Sequence, residues 1–219
     1  MNFRRPTLKR INNLLVKTAR MQLILSYVIA GWSGFFVMAV ELLGGRLLAP
    51  TFGSSIYVWG AIITVFMLAL SIGYLAGGRL SMNAPSVRKL GLILIVAALS
   101  VLPLLLFAVP LLDMVANAIP DPRFGSLAGA TVLFFIPTVF SGMISPYAVR
   151  LIVPDRSSSG RHAGQLYFVS TFGSAAGTLL TSFYLVLLLE VNQILLALMA
   201  ISGVIGVAAL LVRGEANAQ

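Results

Sequence analysis

The chain has no cysteine and a single histidine, His162, among its 219 residues. The first absence excludes a disulfide framework and thiol chemistry. Together they leave poor material for a transition-metal centre, and no metal or other cofactor is expected. Acidic residues are also scarce, six in all. No two form a paired-carboxylate constellation, since Glu41 and Glu190 lie far apart in sequence. A glycine-rich strand–turn–helix for a nucleotide is missing too, because Gly203-x-x-Gly206 lies inside an apolar run. Charged residues are only 10% of the chain, against about 25% in ordinary soluble domains. No enzymatic activity is expected, and no catalytic residue is assigned.

Apolar sequence fills the space. Hydrophobic residues make up 59% of the chain, and the mean hydropathy is +1.00. A bilayer core takes roughly 20 apolar residues per helical span. Six such runs occur, at Met21–Leu43, Tyr57–Leu80, Leu90–Leu112, Ser126–Leu151, Gly164–Leu189 and Val191–Val212. The expectation is an all-α polytopic membrane protein with six transmembrane helices. Residues 1–20 form a basic cytoplasmic arm, 21–213 the transmembrane domain and 214–219 a short tail. The first run is too long for the apolar segment of a signal peptide and lacks a suitable small-x-small cleavage site.

Thirteen of the fifteen Lys and Arg residues fall in the N-terminal arm, alternate gaps and the tail. Only Arg46 and Arg123 lie in the other gaps. That bias places both termini on the cytoplasmic side. The net charge of +9 is then topogenic charge facing an anionic leaflet, and no nucleic-acid partner is expected. In the arm, Leu8, Ile11, Leu14 and Leu15 repeat at helical spacing among Lys9, Arg10, Lys17 and Arg20. Either a basic amphipathic interfacial helix or a disordered basic tail fits that pattern. His162 lies in a polar cytoplasmic link, 154–163, and reads as a solvent-exposed loop residue. Pro120-Asp121-Pro122 reads as a turn, and Glu190-Val191-Asn192 as a near-immediate hairpin.

A few features stand out against this background. Glu41 sits near the outer end of span one, where a charge is costly, with Arg46 five residues on. About 100° per residue separates the two by ~140°, so they pair directly only if Gly44-Gly45 breaks the helix. Glu41 is either a cation site or gate residue, or a carboxylate that ties helix ends together by meeting a group from another span. Span four carries Pro137 and then Ser141-Gly142-Met143-Ile144-Ser145-Pro146. Proline removes a backbone donor and kinks a helix, so a kink is expected between Pro137 and Pro146. If it faces a cavity, Ser141, Ser145 and Tyr147 are the groups near it. Gly73-x-x-x-Gly77 in span two and Gly173-x-x-x-Gly177 in span five suit close helix packing. Ser170, Ser174, Thr178 and Thr181 share the latter stripe. Arg46-Leu-Leu-Ala-Pro50 after span one echoes Arg150-Leu-Ile-Val-Pro154 after span four, on opposite sides of the membrane. An inverted three-plus-three repeat and chance similarity of apolar ends both account for it.

These motifs carry a resemblance. Residues 41–60, ELLGGRLLAPTFGSSIYVWG, resemble the opening of the membrane domain in bacterial fused spermidine-synthase-like proteins. Residues 71–80, SIGYLAGGRL, fit its second span and are similar to the G-x-L-x-D-R loop of major facilitators, with Gly77 and Gly78 where the Asp is expected. Residues 141–151 and 160–178 resemble later blocks, so the likeness covers roughly 21–213. The resemblance implies a half-major-facilitator-like bundle in a bacterial inner membrane, without the soluble synthase-like domain. It implies a transport-like component linked to polyamine or related metabolites; the residue features above make Glu41, Arg46, Ser141, Ser145 and Tyr147 the candidate pathway or gate residues. The alternative is a non-catalytic subunit that anchors or organises a partner enzyme or complex. Six spans imply a homodimer or a hetero-complex in either case.

Overall fold

Where a glycine in the left-handed region ends a helix, the boundary is physical, and Gly53 marks the first one. Its φ is +80° and its N–H reaches back 2.9 Å to the Ala49 carbonyl, which closes α1 as a left-handed cap. The computed structural model describes residues 5–153 and 159–212, with side chains from residue 16 onward. Helix α1 (Arg5–Phe52) has 48 residues, about 72 Å at ~1.5 Å per residue. The arm and span one are one continuous helix, without a break at residue 20. Span one also runs past Leu43 to Phe52: Gly44-Gly45 does not interrupt it. The side chains of Leu8, Ile11, Leu14 and Leu15, and the tail 213–219, lie outside the described residues.

The other spans follow as α2 (Ile56–Leu80), α3 (Val87–Leu99) with α4 (Leu102–Ala118), and α5 (Pro122–Gly142) with α6 (Ile144–Ile152). Then come α7 (Ser159–Leu180), a π-helical turn at Thr181–Leu185, the short α8 (Val186–Leu188), and α9 (Val191–Leu211). Six of these helical runs are long and apolar enough to cross a membrane, and no strand occurs among the described residues. The expected all-helical, six-span architecture is present. Local chemistry sets the ends. The Ser86 hydroxyl accepts from the Lys89 N–H at 3.3 Å, and the Asp121 carboxylate from the Arg123 N–H at 2.8 Å. Glu190 and Gln193 form a reciprocal capping box at the start of α9, as such residues do in general.

Two interruptions differ from the simple reading. Span three is divided at Ser100–Val101, just before Pro103 in the first turn of α4; proline has no N–H to continue the ladder. Span four breaks at Met143 and not at Pro137, which stays inside α5. The interruption falls inside the range Pro137–Pro146 expected for a kink, but it is slight: Met143 keeps helical angles and its N–H still reaches the Val139 carbonyl at 3.2 Å. His162 is not in a loop: α7 already includes it, and it is partly buried.

Three helix pairs organise the bundle: α1 with α7, α2 with α5, and α3 with α9. Glycines set each contact. A methyl on Gly173 would overlap the Gly31 carbonyl, and one on Gly177 would lie 2.5 Å from the Phe35 carbonyl oxygen. In the same pattern, a methyl on Gly73 would overlap the Val139 carbonyl, and one on Gly77 that of Met143. Both expected small-residue faces are thus packing devices. In the third pair, a methyl on Gly91 would lie 2.8 Å from the Gly206 oxygen and one on Gly206 2.9 Å from the Gly91 oxygen. Exchanging spans one, two and three for four, five and six maps the first pair onto the second and the third onto itself. That is the contact pattern an inverted three-plus-three repeat requires.

Candidate functional site

Spans one and five pack along one side of the bundle and spans two and four along the other; spans two and five barely meet. Between them lies a cleft of about 100 Å³, room for several waters. Span one contributes Ser33, Gly34, Val37 and Met38 to its wall, and span two Leu70 and Tyr74. Span four contributes Ser141, Gly142 and Ser145, and span five Ser170 and Ser174. Six hydroxyls from four spans therefore converge, and no acidic or basic side chain lines the cleft.

The break at Met143 makes this possible. Gly73 and Gly77 bring α2 against the backbone at Val139–Met143, which sets Ser141 and Ser145 at the cleft wall. The Ser33 hydroxyl donates to the Ser141 carbonyl at 3.3 Å, and the Ser141 hydroxyl to the Pro137 carbonyl at 2.9 Å. The Ser174 hydroxyl donates to the Ser170 carbonyl at 3.2 Å. Those three donors are occupied within the protein. The hydroxyls of Tyr74, Ser145 and Ser170 have no hydrogen-bond partner among the described residues. In an apolar medium, an unpaired hydroxyl is costly unless water or a solute meets it.

The candidate residues separate in space. Ser141 and Ser145 are in the cleft. Tyr147 is not: it is fully buried in a separate core cluster with Leu90, Leu94 and Ala148, where its hydroxyl accepts from the Ser86 N–H at 3.1 Å. Two residues beyond Ser145 is ~200° around a helix, so α6 turns the ring to its opposite face. Arg46 is not in the cleft either. It is exposed and donates to the Val186 carbonyl at 3.2 Å, at the end of the π-helical turn. Glu41 pairs with neither Arg46 nor a polar group of another span: it has no hydrogen-bond or ion-pair partner among the described residues. It is partly buried, about 16 Å along the axis from Phe52 at ~1.5 Å per residue. A carboxylate in the bilayer centre costs about 2.5–3.5 kcal/mol on insertion scales, so its environment matters.

Ser33, Gly34 and Tyr74 were not foreseen as site residues. For Ser33 and Gly34 the signal is helical spacing, since 33/34, 37/38 and 41/42 make one stripe along α1; Tyr74, on α2, lies one residue past Gly73 of the packing stripe. Among the described residues, no group of three or more His, Asp or Glu side chains could hold a metal. Compared with known proteins, the chain matches no family model, no curated protein and no solved structure.

Proposed function

We propose that this protein is a transport-like component of a membrane, passing a small polar solute through the cleft between spans one, two, four and five. The convergence of six hydroxyls from four spans carries this reading. Three of them are free to exchange partners with a passing solute, and a discontinuous helix at membrane depth is tolerated where it borders a cavity. The link to polyamines or related metabolites, and the bacterial inner membrane as its location, rest on the resemblance of residues 41–60, 71–80, 141–151 and 160–178. In the same reading the unit works with a second six-span half, another copy or a different membrane protein. Span five, the least buried of the six, supplies much of the face for it.

The absence of native cysteine makes a clean test available. Single Ser145→Cys and Ser170→Cys variants, in sealed vesicles, are treated with a membrane-impermeant thiol reagent. Both should be labelled, whereas Met67→Cys, on an exposed apolar position of span two, should not. Protection of both serine positions would show a dry cleft and remove the transport reading in favour of the anchoring subunit.

A further inference from the structure

We infer that Glu41 makes the cleft selective for small cationic solutes, of the ammonium class. The inference rests on the reading of the cleft as a solute path. Ser33, Gly34, Val37 and Met38 form the α1 wall of the cleft. Positions 41 and 42 continue that stripe by one helical turn toward the outer side, since residues three and four apart share a face. Glutamate side chains in a helix lean toward its N-terminus, which from position 41 is toward Val37 and Met38. The unbroken helix from Arg5 to Phe52 fixes this direction. Glu41 is not part of the cleft lining itself; it lies one turn beyond that wall on the same stripe, partly buried and without a hydrogen-bond or ion-pair partner among the described residues.

The one nearby cation does not neutralise it. Arg46 lies ~140° further around the helix and is held by the Val186 carbonyl on span five. The wall below offers hydroxyl oxygens on Tyr74, Ser145 and Ser170 with no internal partner. An ammonium group has three donors and no acceptor, so it matches a carboxylate above and hydroxyl oxygens below. An anionic solute would meet the Glu41 charge with no basic residue in the wall to receive it.

The test uses charge-matched probes on the full chain. A cationic and an anionic methanethiosulfonate are compared on Ser145→Cys and on Ser54→Cys, an exposed position in the loop after α1. With Glu41 intact, the cationic-to-anionic rate ratio should be about tenfold higher at position 145 than at position 54, which is a difference of ~1.4 kcal/mol between the attraction of one probe and the repulsion of the other. Adding Glu41→Gln should bring the two ratios together. Equal ratios with Glu41 intact overturn the cation assignment and leave the cleft standing; this arm needs no Glu41 variant to assemble. A raised ratio that survives Glu41→Gln overturns the assignment to Glu41. No labelling at position 145 by either probe overturns the cleft reading and this inference with it.

Discussion

Gly173 and Gly203 both sit in apolar helices, yet a side chain at one has a different fate from a side chain at the other. A methyl on Gly173 would overlap the Gly31 carbonyl of α1, whereas one on Gly203 would meet nothing within 4 Å. Backbone cannot move aside as a flexible side chain can, and overpacking costs about 1–3 kcal/mol or more. Gly173→Leu should therefore collapse the yield of monodisperse protein and lower its melting temperature in detergent, while Gly203→Leu leaves both close to the parent. Equal tolerance would mean that α1 and α7 are not in contact. The glycine stripes were legible as close-packing faces because their spacing is local. Their partners were not, since Gly31 and Val139 lie more than sixty residues away and only folding brings them together. The error over Tyr147 is of the same kind. Neighbourhood in sequence to Ser145 suggested a shared cavity, but the helical phase after Met143 sends the ring to the core.

At the scale of elements, the C-terminal end of span five is built differently from the rest. Its helix widens to a π turn at Thr181–Leu185, where the i→i+5 pattern is weaker and rare outside specialised positions. Thr181 is fully buried there, and its hydroxyl has no hydrogen-bond partner among the described residues. Arg46 supplies an external tie, donating to the Val186 carbonyl from α1. Arg46→Leu removes that donor, so amide exchange over Thr181–Leu188 should speed up by about fivefold to tenfold, the equivalent of roughly 1 kcal/mol for one hydrogen bond. Exchange in α9 should not change. Unaltered exchange in both elements would assign Arg46 to the membrane surface alone. None of this was readable in advance. The π turn has no proline or glycine to announce it, and Arg46 was weighed only against Glu41. The break in span four was readable because Pro137, Gly142 and Pro146 mark it chemically, although not the residue at which it falls.

At the scale of the whole molecule, the charge pattern and the helix count carry the topology. Reporter fusions after Gly53, Arg88, Arg123, Ser158 and Gln219 should read outside, inside, outside, inside and inside. A terminus after Gln219 on the outer side would contradict six spans. The cleft and the little-buried span five also leave one side of the bundle available to another six-span unit. Native mass spectrometry from mild detergent should show a species heavier than one 23.3 kDa chain. An isolated monomer whose cleft positions label normally in a lipid nanodisc would show that one bundle suffices. Six apolar helices of spanning length were plain from hydropathy, which acts over whole segments. The pairing of spans was not, because every apolar helix is a candidate neighbour for every other until shape decides.

The contact between Gly91 and Gly206 is reciprocal, each backbone filling the space the other lacks. Under the exchange of the two three-span halves it is a fixed point, while the contacts at Gly31 and at Val139 trade places. A rearrangement that converts one half's geometry into the other's must therefore remake the α1–α7 and α2–α5 seams, but it can leave α3 on α9 untouched. The pair of spans that do not line the cleft would then serve as a stationary axle, and the four that line it as the parts that turn.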